Sequence, residues 1–172
     1  MSQHPLAIVV PAFKPDFLEK ALRSIESQTS QSFQVYVFDD GSPHDLAPLI
    51  EPFAKKNEWI FHRFEDNLGA KDLVAHWNRC VASTTEPWVW LFSDDDVMNP
   101  DCVESFLQSK DQNPTTTVFR FEQNVVDAEE KILDANFLCP SELSAFESGK
   151  RKFYRELNSS AVEFIFHRAA SD

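Results

Sequence analysis

Trp88-Val89-Trp90-Leu91-Phe92-Ser93-Asp94-Asp95-Asp96 runs from an unbroken apolar segment straight into three consecutive carboxylates. The apolar half has the pattern of a central strand buried on both faces, because such strands show continuous hydrophobicity instead of alternation. The acidic half then lies at the carboxyl end of that strand, where open α/β sheets bind their ligands. Three adjacent carboxylates repel one another. Either solvation on a loop relieves them, in an acidic turn before the next helix, or a hard divalent cation with oxygen ligands does. A cation such as Mg²⁺ or Mn²⁺ is held by one or two carboxylates plus substrate phosphates, and the end of a buried strand favours that reading.

Working outward from this stretch, strand and helix signals alternate. Leu6 to Val10 is a short apolar, β-branched strand that stops at Pro11. Residues 15–28 carry Phe17, Leu18, Ala21, Leu22 and Ile25 at helical spacing, with Pro15 as the first residue. Phe33 to Phe38 is a second strand and ends in Asp39-Asp40-Gly41-Ser42-Pro43. Asp45 to Lys56 is a helix despite Pro48 and Pro52, and Trp59 to Phe64 a third strand. Ala70 to Ala82 is a helix with Leu73, Val74, Trp77 and Val81 on one face. Asn99 caps, and Pro100 opens, a helix that runs to Ser109. Four strand–helix repeats predict a mostly parallel α/β sheet with helices on both faces.

After residue 114 the rhythm changes. Thr115 to Val126 is β-branched and predicts a long strand. Asp127 to Glu130 is a turn with Lys131 to Leu133 pairing back. Ser141 to Leu157 has helical character, and Ala161 to His167 is a last apolar strand. The organisation predicted is a single domain over 1–172, with a ligand-binding half over 6–112 and the start of a second half over 113–172.

Composition narrows the function. The chain has 172 residues, 42% of them hydrophobic with 16 Phe and 4 Trp, enough for a packed core. A net charge of -12 excludes a nucleic-acid groove and gives no general attraction to anionic lipid. Cys80, Cys102 and Cys139 form no CxxC pair or metal spacing, which with the polar N-terminus predicts a cytoplasmic protein. No apolar run approaches the ~18 residues of a membrane span. With only Gly41, Gly69 and Gly149, there is no GxGxxG or P-loop pattern.

Three strand ends therefore carry the candidate chemistry: Pro11-Ala12-Phe13, Asp39-Asp40-Gly41-Ser42 and Ser93-Asp94-Asp95-Asp96. In a parallel sheet they converge on one edge. There Asp40 is placed to accept from a ring N–H and Phe13 to lie against the ring. Turn chemistry alone also explains an Asp-Gly-Ser sequence. Lys71, in the first turn after Asn67-Leu68-Gly69, is a candidate for a phosphate oxygen, with a solvated surface lysine as the simpler alternative. His76-Trp77-Asn78 reads as packing.

These pieces together resemble the family 2 glycosyltransferases. The matching stretches are Ala7 to Phe13, Leu22 to Thr29, Val37 to Ser42, Asn67-Leu68-Gly69, Trp77 to Cys80 and Ser93 to Val97, in the family order. The resemblance implies a GT-A-like fold and inverting transfer from a nucleotide-diphosphate sugar, a UDP-sugar in the first instance, to a saccharide or lipid-linked acceptor. It implies Pro11, Ala12, Phe13, Asp40, Lys71 and Asp94 around the nucleotide, and Asp95 and Asp96 at a Mg²⁺ or Mn²⁺ ion. The family often has Asp where Ser93 stands. No position matches the family's general base, so the chain resembles the donor-binding part of a longer enzyme, and the resemblance allows peripheral association with a membrane. Two alternatives come from other classes: a nucleotide-binding module without catalysis, and a phosphatase using Asp39 or Asp40.

Overall fold

The structure, a computed structural model, describes residues 4–129, 131–134 and 161–170. Cys139, Gly149 and the helical expectation for Ser141 to Leu157 lie outside the described residues. The strands are β1 (Leu6–Ala12), β2 (Phe33–Asp39), β3 (Ile60–Arg63), β4 (Trp88–Leu91), β5 (Val118–Arg120), β6 (Val125–Val126), β7 (Ile132–Asp134) and β8 (Phe164–His167). The helices are α1 (Leu18–Glu26), α2 (Ala47–Asn57), α3 (Leu73–Ala82) and α4 (Cys102–Gln112). Six strands form one sheet in the order β3-β2-β1-β4-β8-β5, while β6 and β7 pair separately. β1 is parallel to β2 and β4, β2 is parallel to β3, and β8 runs antiparallel to β4. This is the mostly parallel α/β sheet that the alternation predicted, with an antiparallel C-terminal strand. The chain divides into two compact units, Met1–Phe119 with Ile165–Asp172, and Arg120–Phe164.

β1 is the spine of the first unit. Leu6 to Val10 are fully buried because helices cover both faces. One face, carrying Ala7, Val9, Tyr36, Phe38 and Val89, packs with Cys80 of α3. On the other, Trp88 meets Phe106 of α4 with ring centroids 5.3 Å apart. The strand runs two residues past the predicted stop. Val9 accepts from Phe92 N, on the β4 side, and Pro11 shares its parity. The β1–β4 ladder ends at Val9 and Leu91, so the N–H that proline lacks has no ladder to serve.

Two helices begin later than expected. α1 starts at Leu18, because the backbone around Lys14 is drawn across to Asp94. α4 starts at Cys102, with neither Asn99 nor Pro100 in the helix. Its cap comes from the residues just after α1. The buried Gln28 side chain accepts from Val103 N at 3.0 Å and donates to Asn99 O at 2.7 Å. Met98 N donates to Ser24 Oγ and Thr29 N to Pro100 O, so the loop behind the acidic triplet is tied along the end of α1.

The predicted apolar face of α3 is corrected. Leu73 and Val74 are 49% and 60% exposed, while His76 and Cys80 are buried. Asp72 caps this helix, accepting from Ala75 N at 2.9 Å, and that start turns Leu73 and Val74 outward. The long strand predicted from Thr115 is broken into β5 and β6. The turn after β6 forms around Asp127, whose carboxylate accepts from Glu129 N and Lys131 N. Arg168, just beyond β8, donates to Glu86 O, Val81 O and Thr84 Oγ1 at 3.2, 3.2 and 2.6 Å.

Candidate functional site: three strand ends joined at Phe13

The three acidic and aromatic strand ends do converge, and the backbone of Phe13 joins them. Phe13 N donates to Asp94 Oδ2 at 2.8 Å, and Lys14 N donates to the same oxygen at 3.2 Å. Phe13 O accepts from Ser42 Oγ at 2.6 Å. The loops after β1, β2 and β4 are thus one hydrogen-bonded assembly. Ala12 is buried, while Pro11 and Phe13 are half-buried at its edge.

The two adjacent aspartates have different surroundings. Asp39 is 0% exposed and builds the turn: Oδ1 accepts from Ser42 N at 2.7 Å and Oδ2 from Arg63 at 2.6 Å. Arg63 also donates to Ser42 O at 2.6 Å. Gly41 sits at φ +62, where a Cβ would fall 2.9 Å from the backbone carbon of Asp66, so both conformation and space require glycine. A carboxylate so buried and engaged is not presented to a phosphate ester, which removes Asp39 as a phosphatase nucleophile.

Asp40 is 4% exposed and faces the loop before α3. Leu68 N donates to Oδ1 at 3.0 Å and Gly69 N to Oδ2 at 2.8 Å. Arg79 ion-pairs with Oδ1, and His76 Nδ1 lies 3.1 Å from the same oxygen. Arg79 also binds Asp66 Oδ1 at 2.9 Å and rests 3.7 Å above the Phe64 ring, which stacks on Phe38. Burial holds His76 below the ordinary histidine range despite the attraction of Asp40, so it is neutral and accepts from Arg79 Nε at 3.1 Å. Burial also pushes the Cys80 thiol up to about 12.

The acidic loop offers oxygen ligands. Asp94 is committed to the Phe13 and Lys14 amides, and burial raises its pKa against those hydrogen bonds. Asp95 is exposed and accepts from Ser93 Oγ. Asp96 is half-buried, and its pKa is raised by burial and then by repulsion from Asp95 and Asp94. Among the described residues no group of three His, Cys, Asp or Glu side chains is arranged to hold a metal unaided. Two neighbouring carboxylates under mutual repulsion nevertheless fit a hard cation whose shell is completed by ligand phosphates. Lys71 lies exposed on the turn entering α3, and no contact among the described residues links it to the acidic loop.

Sequence reasoning missed Arg79, His76 and Arg63, the partners of the two aspartates. The available signal was the i, i+3 spacing of His76 and Arg79 with Cys80 alongside, which puts polar groups on the buried face of α3. It also missed Ser24 and Gln28 as the posts behind the acidic loop.

The model of the Glycosyl transferase family 2 matches residues 7–171. Protein CgeD of Bacillus subtilis (strain 168) is 21% identical over 131 residues, covering 73% of this chain and 31% of its own length. The crystal structure of S. aureus TarS 1-349 superposes with a TM-score of 0.74 at 18% identity, over 95% of this chain and 47% of that one. Its complex with UDP gives 0.65 at 19% identity, over 72% and 36%. The mannosyltransferase PcManGT from Pyrobaculum calidifontis, in complex with GDP-Man and Mn²⁺, gives 0.57 at 16% identity, over 71% and 36%. The likeness shows a shared GT-A-like fold. The chain spans about a third of the length of the curated relative and less than half of these solved chains. No helix among the described residues is long and apolar enough to cross a membrane.

Proposed function

The chain belongs to glycosyl transferase family 2, and we propose that it provides the donor side of a transfer of sugar from a nucleotide-diphosphate sugar to an acceptor hydroxyl. The observation that carries this reading is the junction at Phe13, which brings the Asp40 loop and the Asp94–Asp96 loop to one edge of the sheet. Asp40 recognises the nucleobase, with Pro11, Ala12 and Phe13 beside it. Asp94 fixes the β1 loop against the nucleotide. Asp95 and Asp96 hold Mg²⁺ or Mn²⁺, and when bound the ion stabilises charge on the departing diphosphate. Lys71 is assigned to a phosphate oxygen from its place in the turn before α3. The acceptor is a saccharide or a lipid-linked saccharide, and the leading donor is a UDP-sugar. Neighbours of this fold that are complexed with UDP and with GDP-Man support a nucleotide ligand.

Isothermal calorimetry tests the reading. The native chain should bind UDP or GDP in the presence of Mn²⁺, and the Asp95→Ala, Asp96→Ala double variant should bind at least about tenfold more weakly, a loss of about 1.4 kcal/mol. Equal binding by the two proteins, or no binding of either nucleotide by the native chain, would overturn the assignment.

A further inference from the structure

We infer that the stretch from Phe13 to Thr29 is a jig for the acidic loop, with Ser24 and Gln28 as positioning residues that set where the Asp95 and Asp96 carboxylates stand; this rests on the proposed metal role of those carboxylates. The loop leaves β4 at Leu91 and enters α4 at Cys102. In front, Asp94 Oδ2 accepts from Phe13 N and Lys14 N. Behind, Met98 N donates to Ser24 Oγ at 3.2 Å, Gln28 Nε2 donates to Asn99 O at 2.7 Å, and Thr29 N donates to Pro100 O at 2.8 Å. Asp95, Asp96 and Val97 are the residues between the front and rear anchors. Every one of these anchors belongs to the same short stretch of chain.

The rear anchors are firm. Ser24 and Gln28 are 7% and 4% exposed. Leu18, Ala21, Leu22 and Ile25 of α1 are fully buried, so the helix that carries Ser24 cannot shift without repacking the core. Gln28 is held at both ends of its amide: Nε2 also donates to Ser24 O at 3.1 Å, and Oε1 accepts from Val103 N at 3.0 Å. A buried amide engaged in this way keeps one orientation. The loop passes from solvent to core within one step, from the exposed Val97 to the buried Met98, and the anchoring begins at that step.

Such a clamp matters because adjacent carboxylates repel, the more so where burial removes water. A loop free to relax would separate Asp95 and Asp96, and an arriving cation would have to draw them back. Fixing both ends of the segment removes that cost beforehand. Partners that orient metal ligands contribute about ten- to a hundredfold to metal affinity. Gln28 holds both Asn99 and Val103, whereas Ser24 holds Met98 through one longer bond. Gln28→Met keeps the length of the side chain and loses both contacts, so it should weaken Mn²⁺ binding about tenfold. Ser24→Ala loses one and should weaken it about threefold.

Titration of the chain with Mn²⁺ at a fixed excess of UDP, with the free ion measured by electron paramagnetic resonance, tests this against a protein-free Mn²⁺–UDP reference. Each protein is titrated well below its own unfolding transition. Both variants should show the weaker affinity at the native stoichiometry, whereas a variant that is merely less stable binds fewer ions per chain at unchanged affinity. Arg168→Ala is the control. It removes the hydrogen bonds to Glu86, Val81 and Thr84, ahead of β4 and at the opposite end of that strand from the acidic loop, and should keep the native affinity. Native affinity in both variants, or an equal loss in Arg168→Ala, would overturn the jig and leave the metal assignment standing. Should Gln28→Met not fold, Ser24→Ala against Arg168→Ala decides by the same criterion. No Mn²⁺ uptake by the native chain would overturn the proposed metal role and the jig with it.

Discussion

Asp94 has two separable tasks, one as a brace and one as a charge, and substitution distinguishes them. Both of its amide hydrogen bonds, from Phe13 N and Lys14 N, end on the same oxygen, Oδ2. Asparagine can place its carbonyl oxygen there and keep both bonds, while alanine keeps neither. A hydrogen bond to a charged group contributes about 1.5–3 kcal/mol; the part-buried Phe13 bond belongs in that range and the longer, exposed Lys14 bond adds about 0.5. Removing a half-buried carboxylate whose pKa burial raises offsets part of that loss. Asp94→Ala should therefore destabilise the chain by about 1–2.5 kcal/mol, a fall in Tm of about 3–8 °C for a domain of this size. Asp94→Asn should stay within about 0.5 kcal/mol of the native chain, because it keeps the acceptor and sheds the buried charge. Urea unfolding followed by tryptophan fluorescence measures both. If Asp94→Ala is as stable as the native chain, or Asp94→Asn falls as far as Asp94→Ala, the brace is not what holds these loops together.

Three further outcomes follow from buried polar groups. His76 has a lowered folded pKa and faces Asp40, Arg79, Asp66 and Cys80, so its contribution is complete above the ordinary histidine pKa of about 6.5. As pH falls through that value the unfolded chain takes up a proton that the folded chain refuses. The urea midpoint should drop more steeply between pH 7.5 and 5 in the native chain than in His76→Asn, and parallel profiles would count against a neutral His76. Cys80, with its thiol near 12, should not react with an aromatic disulfide reagent at pH 8 until the chain is denatured. A rapidly reacting native thiol that disappears in Cys80→Ser would contradict its burial. Arg168→Ala removes donors to Glu86 O, Val81 O and Thr84 Oγ1 and should cost about 1.5–3 kcal/mol in urea unfolding; an unchanged midpoint would mean that these bonds contribute nothing net.

The sheet was legible because its strands obey one rule: strands covered on both faces are continuously apolar, and Leu6 to Val10, Phe33 to Phe38 and Trp88 to Leu91 all are. The convergence of three strand ends followed from parallel topology alone. The division of labour between Asp39 and Asp40 was not legible. It depends on which arginine reaches which carboxylate, Arg63 from β3 or Arg79 from α3, and tertiary structure decides that. The boundaries of α1 and α4 were missed for a related reason. Their first turns are set by Asp94 and Gln28, residues distant in sequence, where local capping rules see only neighbours. The face of α3 was assigned from hydrophobicity, yet the groups it buries, His76 and Cys80, answer to Asp40 and the Phe38–Phe64 stack.

The position of β8 bears on how the chain is made. β4 lies between β1 and β8, yet among the described strands β8 is the last to leave the ribosome, well after β1 and β4 are free to pair. Throughout that interval the Trp88-Val89-Trp90-Leu91 strand presents a bare hydrogen-bonding edge, with two indoles and no partner. Such an edge is a template for pairing with a neighbouring nascent chain. Closing it late, across a long connection, is slow compared with local helix formation. The three arginine contacts just beyond β8 then act as a latch on the final step. Production yield should depend on how quickly residues 164–168 arrive, and a coexpressed peptide bearing that strand would be expected to raise it.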